Sequence, residues 1–250
     1  MLLLQLTVNF YLLAFVFCAT LASYNFHYIL AGAIGKQKLS WSLFSSRPSN
    51  LLVMLLGAAG AALLFSSSGI DLPVALIAVL LTLIYSVPLL PFKQLDVARK
   101  AGWLKTVLLA FTWMFVTAYL PMTEQRMQWS WLEILILAKR FLFMLMLCTI
   151  FDNRDVHVDK INGLSSLATD LGPHLMQWLI FIVFTLLFTL NFFFGEYGIQ
   201  GYQVIALQLS SLATLIVYFF SRKKQGYFFY YFVVDGMMIL MTLLTTIASI

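Results

Sequence analysis

Apolar residues fill this chain in long blocks separated by short polar connections. The blocks lie near Leu4 to Leu30, Leu51 to Ser67, Pro73 to Pro91, Trp103 to Leu120, Trp131 to Phe151, Leu175 to Phe194, Tyr202 to Phe220 and Tyr227 to Ser249. A bilayer core of roughly 30 Å is crossed by a helix of about 20 apolar residues, so the pattern predicts eight membrane spans. No linker, low-complexity tract or short repeat divides the chain. Residues 1–250 therefore read as one all-α transmembrane domain.

Composition agrees with that solvent. The chain is 62% hydrophobic and 10% charged, with a mean hydropathy of +0.94, which excludes a soluble domain. Both cysteines, Cys18 and Cys148, fall inside spans and read as small core residues, not as a disulfide or thiolate metal site. The start, Met-Leu-Leu-Leu, lacks the basic leader and small-residue cleavage site of a signal peptide.

Charge sets the orientation. Of the 15 Lys and Arg residues, Lys36, Lys38, Arg47, Lys93, Arg99, Lys100, Lys105, Arg154, Lys160, Arg222, Lys223 and Lys224 fall in connections on one side, while the opposite side holds Arg126. The positive-inside rule makes the first side cytoplasmic, as in a bacterial inner membrane. The net charge of +5 is then topological and gives no reason to expect a nucleic-acid partner. Lys139 and Arg140 lie inside the fifth span, where charges are usually paired or face a cavity. Asp235 sits at a matching depth of the last span, and an ion pair with it is expected.

The connections Gly35 to Asn50, Phe92 to Gly102 and Asp152 to Pro173 are longer or more charged than outer ones such as Ser68 to Leu72, so chemistry is expected on the cytoplasmic face. The third begins Phe-Asp152-Asn-Arg-Asp155-Val-His-Val-Asp159-Lys160. At about 100° per residue, positions i, i+3 and i+7 fall within about 60° of one another on a helix. Three carboxylates then form one oxygen-rich edge. Beside basic residues, such an edge suits Mg²⁺, which prefers a few carboxylates, substrate phosphates and retained waters. The plain alternative is a solvated helix end. After it, Asn162-Gly163 breaks the helix, and Leu164 to Leu171 reads as a short amphipathic helix closed by Gly172-Pro173.

The spacing Asp152-x-x-Asp155-x-x-x-Asp159-x-x-x-Gly163-x-x-Ser166-Leu167, closing with Leu171-Gly172, resembles the second aspartate-rich motif of the UbiA superfamily of intramembrane prenyltransferases. Tyr85-Ser-Val-Pro88-Leu-Leu-Pro91 followed by Lys93 is similar to that family's helix end before a basic loop, and Tyr230-Tyr231-Phe-Val-Val-Asp235-Gly236 adds weaker support. The family has nine helices and two aspartate-rich motifs. The eight spans would match helices two to nine, with an upstream helix missing from this chain, whose first span begins without a charged flank.

The resemblance implies a Mg²⁺-dependent transfer of an isoprenyl group from an isoprenyl diphosphate to a lipid or aromatic acceptor within the bilayer. It assigns metal and catalysis to Asp152, Asp155 and Asp159, and places Asn25 and His27 on the facing wall, His27 with a catalytic part. Asn25, Lys93, Arg99, Lys100, Arg154 and Lys160 become candidates for the diphosphate. The chain departs from the family at the first motif, where Ser23-Tyr24-Asn25-Phe26-His27-Tyr28 keeps an asparagine and no carboxylate follows until Asp71. Two further readings stay open: a terpene cyclase or diphosphate lyase on the same scaffold, and a non-catalytic, lipid-binding subunit with a membrane protein partner. A transporter or channel fits less well, because no repeated pair of broken helices is visible and the triplet lies at a span end.

Overall fold

The computed structural model describes residues 8–31, 47–86, 102–125, 129–162 and 165–249. Among these the chain is helical. The elements are α1 (Phe10–Ala31), α2 (Pro48–Phe65), α3 (Leu72–Ser86), α4 (Gly102–Glu124), α5 (Trp131–Asn162), α6 (Leu167–Phe193), α7 (Gly201–Ser221) and α8 (Phe229–Ile247). Seven of them are long and apolar enough to cross a membrane, and α3 is a shorter apolar helix. The chain is a polytopic helical membrane bundle. Trp129 and Trp131 at one end, and Tyr227, Phe228 and Phe232 at the other, stay exposed as interfacial aromatics do.

The core lies around α5. Phe143, Met146, Leu147 and Ile150 are fully buried against Ile180 and Leu187 of α6, Leu207 of α7, and Val234 and Met237 of α8. The helices α1 to α3 pack outside this group, where a second cluster joins Leu12, Ile70 and Leu120. A polar knot fixes their far end. Asn9 Nδ2 donates to Glu124 Oε1 at 3.0 Å and to the Ser68 carbonyl at 3.3 Å, while its Oδ1 accepts from the Tyr11 and Leu12 amides that open α1.

Small residues let α1 and α2 approach. A Cβ on Gly57 would stand 2.8 Å from the Cys18 carbonyl oxygen and 2.9 Å from the Ala22 nitrogen, and one on Gly60 2.9 Å from Cys18 Sγ. Backbones this close require glycine. Gly57→Val should therefore destabilise the protein by about 2 kcal/mol, seen as earlier thermal unfolding in detergent; unchanged melting would refute this packing.

Several boundaries differ from expectation. Helix α5 runs eleven residues past Phe151, carrying the whole triplet on an ordered helix. Helix α4 widens into a π-helical turn over Phe115–Tyr119 before Leu120–Glu124. Pro121 has no N–H for the Thr117 carbonyl and its ring crowds that oxygen, which accounts for the wider turn. Ser166 caps α6 and Thr169 closes a capping box, with the Thr169 hydroxyl accepting from the Ser166 amide at 2.7 Å. The first turn of α6 ends at Gly172, whose φ of 71° only glycine adopts freely, and Pro173 opens the long segment.

The expected ion pair of the fifth span with Asp235 does not form. Arg140 Nε donates to Thr117 Oγ1 at 2.9 Å, and the cation within electrostatic range of Asp235 is Arg154. The expected match in depth fails as well: Arg140 faces α4, fourteen residues of α5 away from Arg154. The π-helical turn Phe229–Val234, packed through Tyr230 on Phe151, carries Asp235 towards the triplet end.

Candidate functional site

The end of α5 holds the triplet where α4, α6 and α8 converge. The three carboxylates do not share one fate. Asp152 accepts a short hydrogen bond from the Thr106 hydroxyl of α4 and faces the Leu167 amide at the start of α6. Asp155 forms a two-pronged pair with the adjacent Arg154, Nε to Oδ1 at 2.6 Å and Nη2 to Oδ2 at 2.8 Å. Asp159 is 6% exposed, and its Oδ2 has no hydrogen-bond partner among the described residues.

Arg154 is fixed from several sides. Its guanidinium carbon lies 4.9 Å from the Phe151 ring centroid, 5.2 Å from Tyr230 and 5.5 Å from Tyr231. Such stacking suits a planar cation. Arg154 thus joins α5 to α8 and holds Asp155 aside, while Lys160 is exposed to solvent.

Lys105, one turn into α4, was missed as a site residue. It lies within electrostatic range of Asp152, Asp159 and His27, and is the charged group common to the three. The positive-inside count had absorbed it as one cation among twelve; its place beside Thr106, just after Gly102, was the available signal. Gly102 allows the approach: a Cβ there would fall 2.3 Å from the Ser166 nitrogen.

On the facing wall, His27 stacks on Tyr85 with ring centroids 5.0 Å apart and 16° between planes. Its Nδ1 is buried and has no partner among the described residues. Asn25 is engaged elsewhere, donating to the Leu21 carbonyl at 2.8 Å and accepting from Asn50 at 3.1 Å, so it links α1 to α2. Lys93, Arg99 and Lys100 lie outside the described residues.

His27 and Tyr85 also close one end of a cavity of about 180 Å³ between α1, α3 and α4. It continues past Ala19, Val79 and Trp113 to Phe15 and Leu120. Its hydroxyls Ser23 and Thr112 donate to carbonyls one turn back on their own helices, at 2.8 Å each, which satisfies their donors within their own helices. Along α1 it extends from His27 to Phe15, about 18 Å of helix. The arrangement is an apolar slot with His27 and Tyr85 at one end and Lys105 within electrostatic range of that histidine.

Among the described residues no three acidic, histidine or cysteine side chains form a metal-binding group. Two carboxylates nevertheless suit a Mg²⁺ that keeps its waters and bridges a phosphate. Asp152 and Asp159 lie within electrostatic range of each other, and the partnerless Oδ2 of Asp159 is a buried acceptor open to such an ion. No protein-family model, curated protein or solved structure matches the chain.

Proposed function

We propose that this chain is an intramembrane prenyltransferase that uses an isoprenyl diphosphate and passes the isoprenyl group to a lipid or aromatic acceptor. One observation carries the proposal: the apolar slot ends at His27 and Tyr85, and His27 shares Lys105 with Asp152 and Asp159. A long hydrocarbon tail and an anionic head are thereby provided for side by side. The triplet end is read as cytoplasmic, in a bacterial inner membrane.

Asp152 and Asp159 would hold Mg²⁺, which when bound neutralises charge on the leaving pyrophosphate. Lys105 is placed to attract the same phosphates and to offset two carboxylates that would otherwise repel them. His27, with Nδ1 free, can donate to a phosphate oxygen when protonated or accept a proton from the acceptor when neutral. The slot walls exclude water from the allylic carbon once the tail is seated. Arg154 acts on the site indirectly, by keeping Asp155 in place.

The test is incubation of purified protein with labelled geranyl, farnesyl and longer diphosphates, with and without Mg²⁺. Released pyrophosphate together with a new lipid in the Mg²⁺ samples is expected; neither release nor Mg²⁺-dependent binding would overturn the proposal. A second reading, a non-catalytic lipid-binding subunit, is favoured by the capture of Asp155 by Arg154. It predicts tail binding that is indifferent to Mg²⁺. Pyrophosphate release without an acceptor product would instead mark a cyclase or lyase.

A further inference from the structure

Lys139 and Arg140 sit far from the triplet, on the half of α5 nearer Trp131. Lys139 lies eight residues from that exposed tryptophan, about 12 Å of helix inside the interfacial belt. It is 5% exposed, so most of the side chain is enclosed by protein. Adjacent cations inside a span repel each other and are expected to meet counter-charges.

None is present among the described residues. The charged group bearing on Lys139 is Arg140, and no carboxylate bears on either. Of the acids of that half, Asp71 and Glu196 are exposed and two others have partners. Glu133 accepts from the Ser130 amide at 2.7 Å, and Glu124 from Asn9 at 3.0 Å. Among the described residues, of the three ammonium and five guanidinium N–H donors, only the Arg140 Nε–H meets a protein acceptor, Thr117 Oγ1 at 2.9 Å. Lys139 Nζ rests 5.8 Å from the Phe194 ring centroid, near the outer limit of a cation–π contact.

The opposing backbone is irregular at the same place. Thr117 lies at the centre of the π-helical turn of α4, a feature frequent at functional sites. Its hydroxyl already donates to the Trp113 carbonyl at 2.6 Å, so it can only accept from Arg140, and the other guanidinium donors meet no acceptor among the described residues.

We propose that Lys139 and Arg140 form a second site, for the carboxylate or phosphate of a membrane-embedded amphiphile that enters from the bundle end opposite the triplet. The ligand supplies the missing counter-charge: the guanidinium takes its oxygens in pairs and the ammonium acts as a point charge. This site does not depend on the transferase reading, because it shares no residue with the triplet end.

The experiment compares melting of the full chain in phosphatidylcholine nanodiscs, alone, with phosphatidylglycerol, or with palmitate. A rise of about 5 °C with one of the two at saturation is expected; phosphatidylglycerol identifies a phosphate head, palmitate a carboxylate. The double variant Lys139→Met with Arg140→Met should lose that rise and melt no lower than wild type in phosphatidylcholine alone, since it discards two unpaired charges. No response by the wild type, an equal response by the double variant, or a double variant that fails to fold would each overturn the proposal. The last outcome would show that the cations support the fold.

Discussion

Asp159→Asn should lower Mg²⁺-dependent pyrophosphate release by roughly 10²- to 10³-fold, the loss typical of removing one positioned electrostatic group. It should do so without lowering the melting temperature. The side chain is 6% exposed and its Oδ2 is partnerless among the described residues, so the ionised form is a burden on the folded state unless a ligand uses it. Removing such a charge tends to stabilise while it disables. Asp155→Asn should behave in the opposite sense. Its carboxylate is the two-pronged partner of Arg154, and its loss leaves a guanidinium held among three rings without its hydrogen-bonded counter-charge, with Asp235 and Asp159 within electrostatic range only. Melting should fall more than turnover. Measuring both quantities on both variants separates the roles; a large turnover loss for Asp155→Asn with unchanged melting would place the metal on Asp155 instead.

That contrast shows where the sequence was legible. Spacing i, i+3, i+7 put three carboxylates on one edge, and α5 does carry all three as a continuous helix. Periodicity could not show that Arg154, outside the triplet's register, turns its guanidinium onto its neighbour Asp155. The eight apolar blocks were equally plain, because bilayer crossing leaves a dense local signal. The cavity was not, since its walls come from α1, α3 and α4, whose residues meet only through tertiary packing. Lys105 was hidden for a different reason. Counting cations for topology treats each as interchangeable, whereas only the tertiary structure separates one within electrostatic range of two carboxylates from those that face water. The pairing of Arg140 with Asp235 failed because residue counting assumes regular helices from fixed ends, whereas the π-helical turn Phe229–Val234 brings Asp235 to Arg154 and Arg140 turns to Thr117.

The close approach of α4 to the start of α6 depends on a glycine, and Gly102→Val should be the most damaging substitution to the fold. A Cβ at Gly102 would lie 2.3 Å from the Ser166 nitrogen and 2.5 Å from the Ser165 carbonyl carbon, both backbone atoms that cannot rotate away. Helix α4 must then retreat from the start of α6. The expected cost is about 3 kcal/mol, a fall in melting temperature of about 10 °C. Gly236→Ala is the control: its Cβ would meet nothing within 4 Å, and a helical alanine should melt slightly higher. The same retreat reaches the chemistry, because Lys105 and Thr106 occupy the next turn and Thr106 donates to Asp152. Gly102→Val protein that remains folded below its lowered melting point should therefore still lose Mg²⁺-dependent turnover. Wild-type melting would remove the close approach; lowered melting with full turnover would keep it and detach Lys105 and Thr106 from the site.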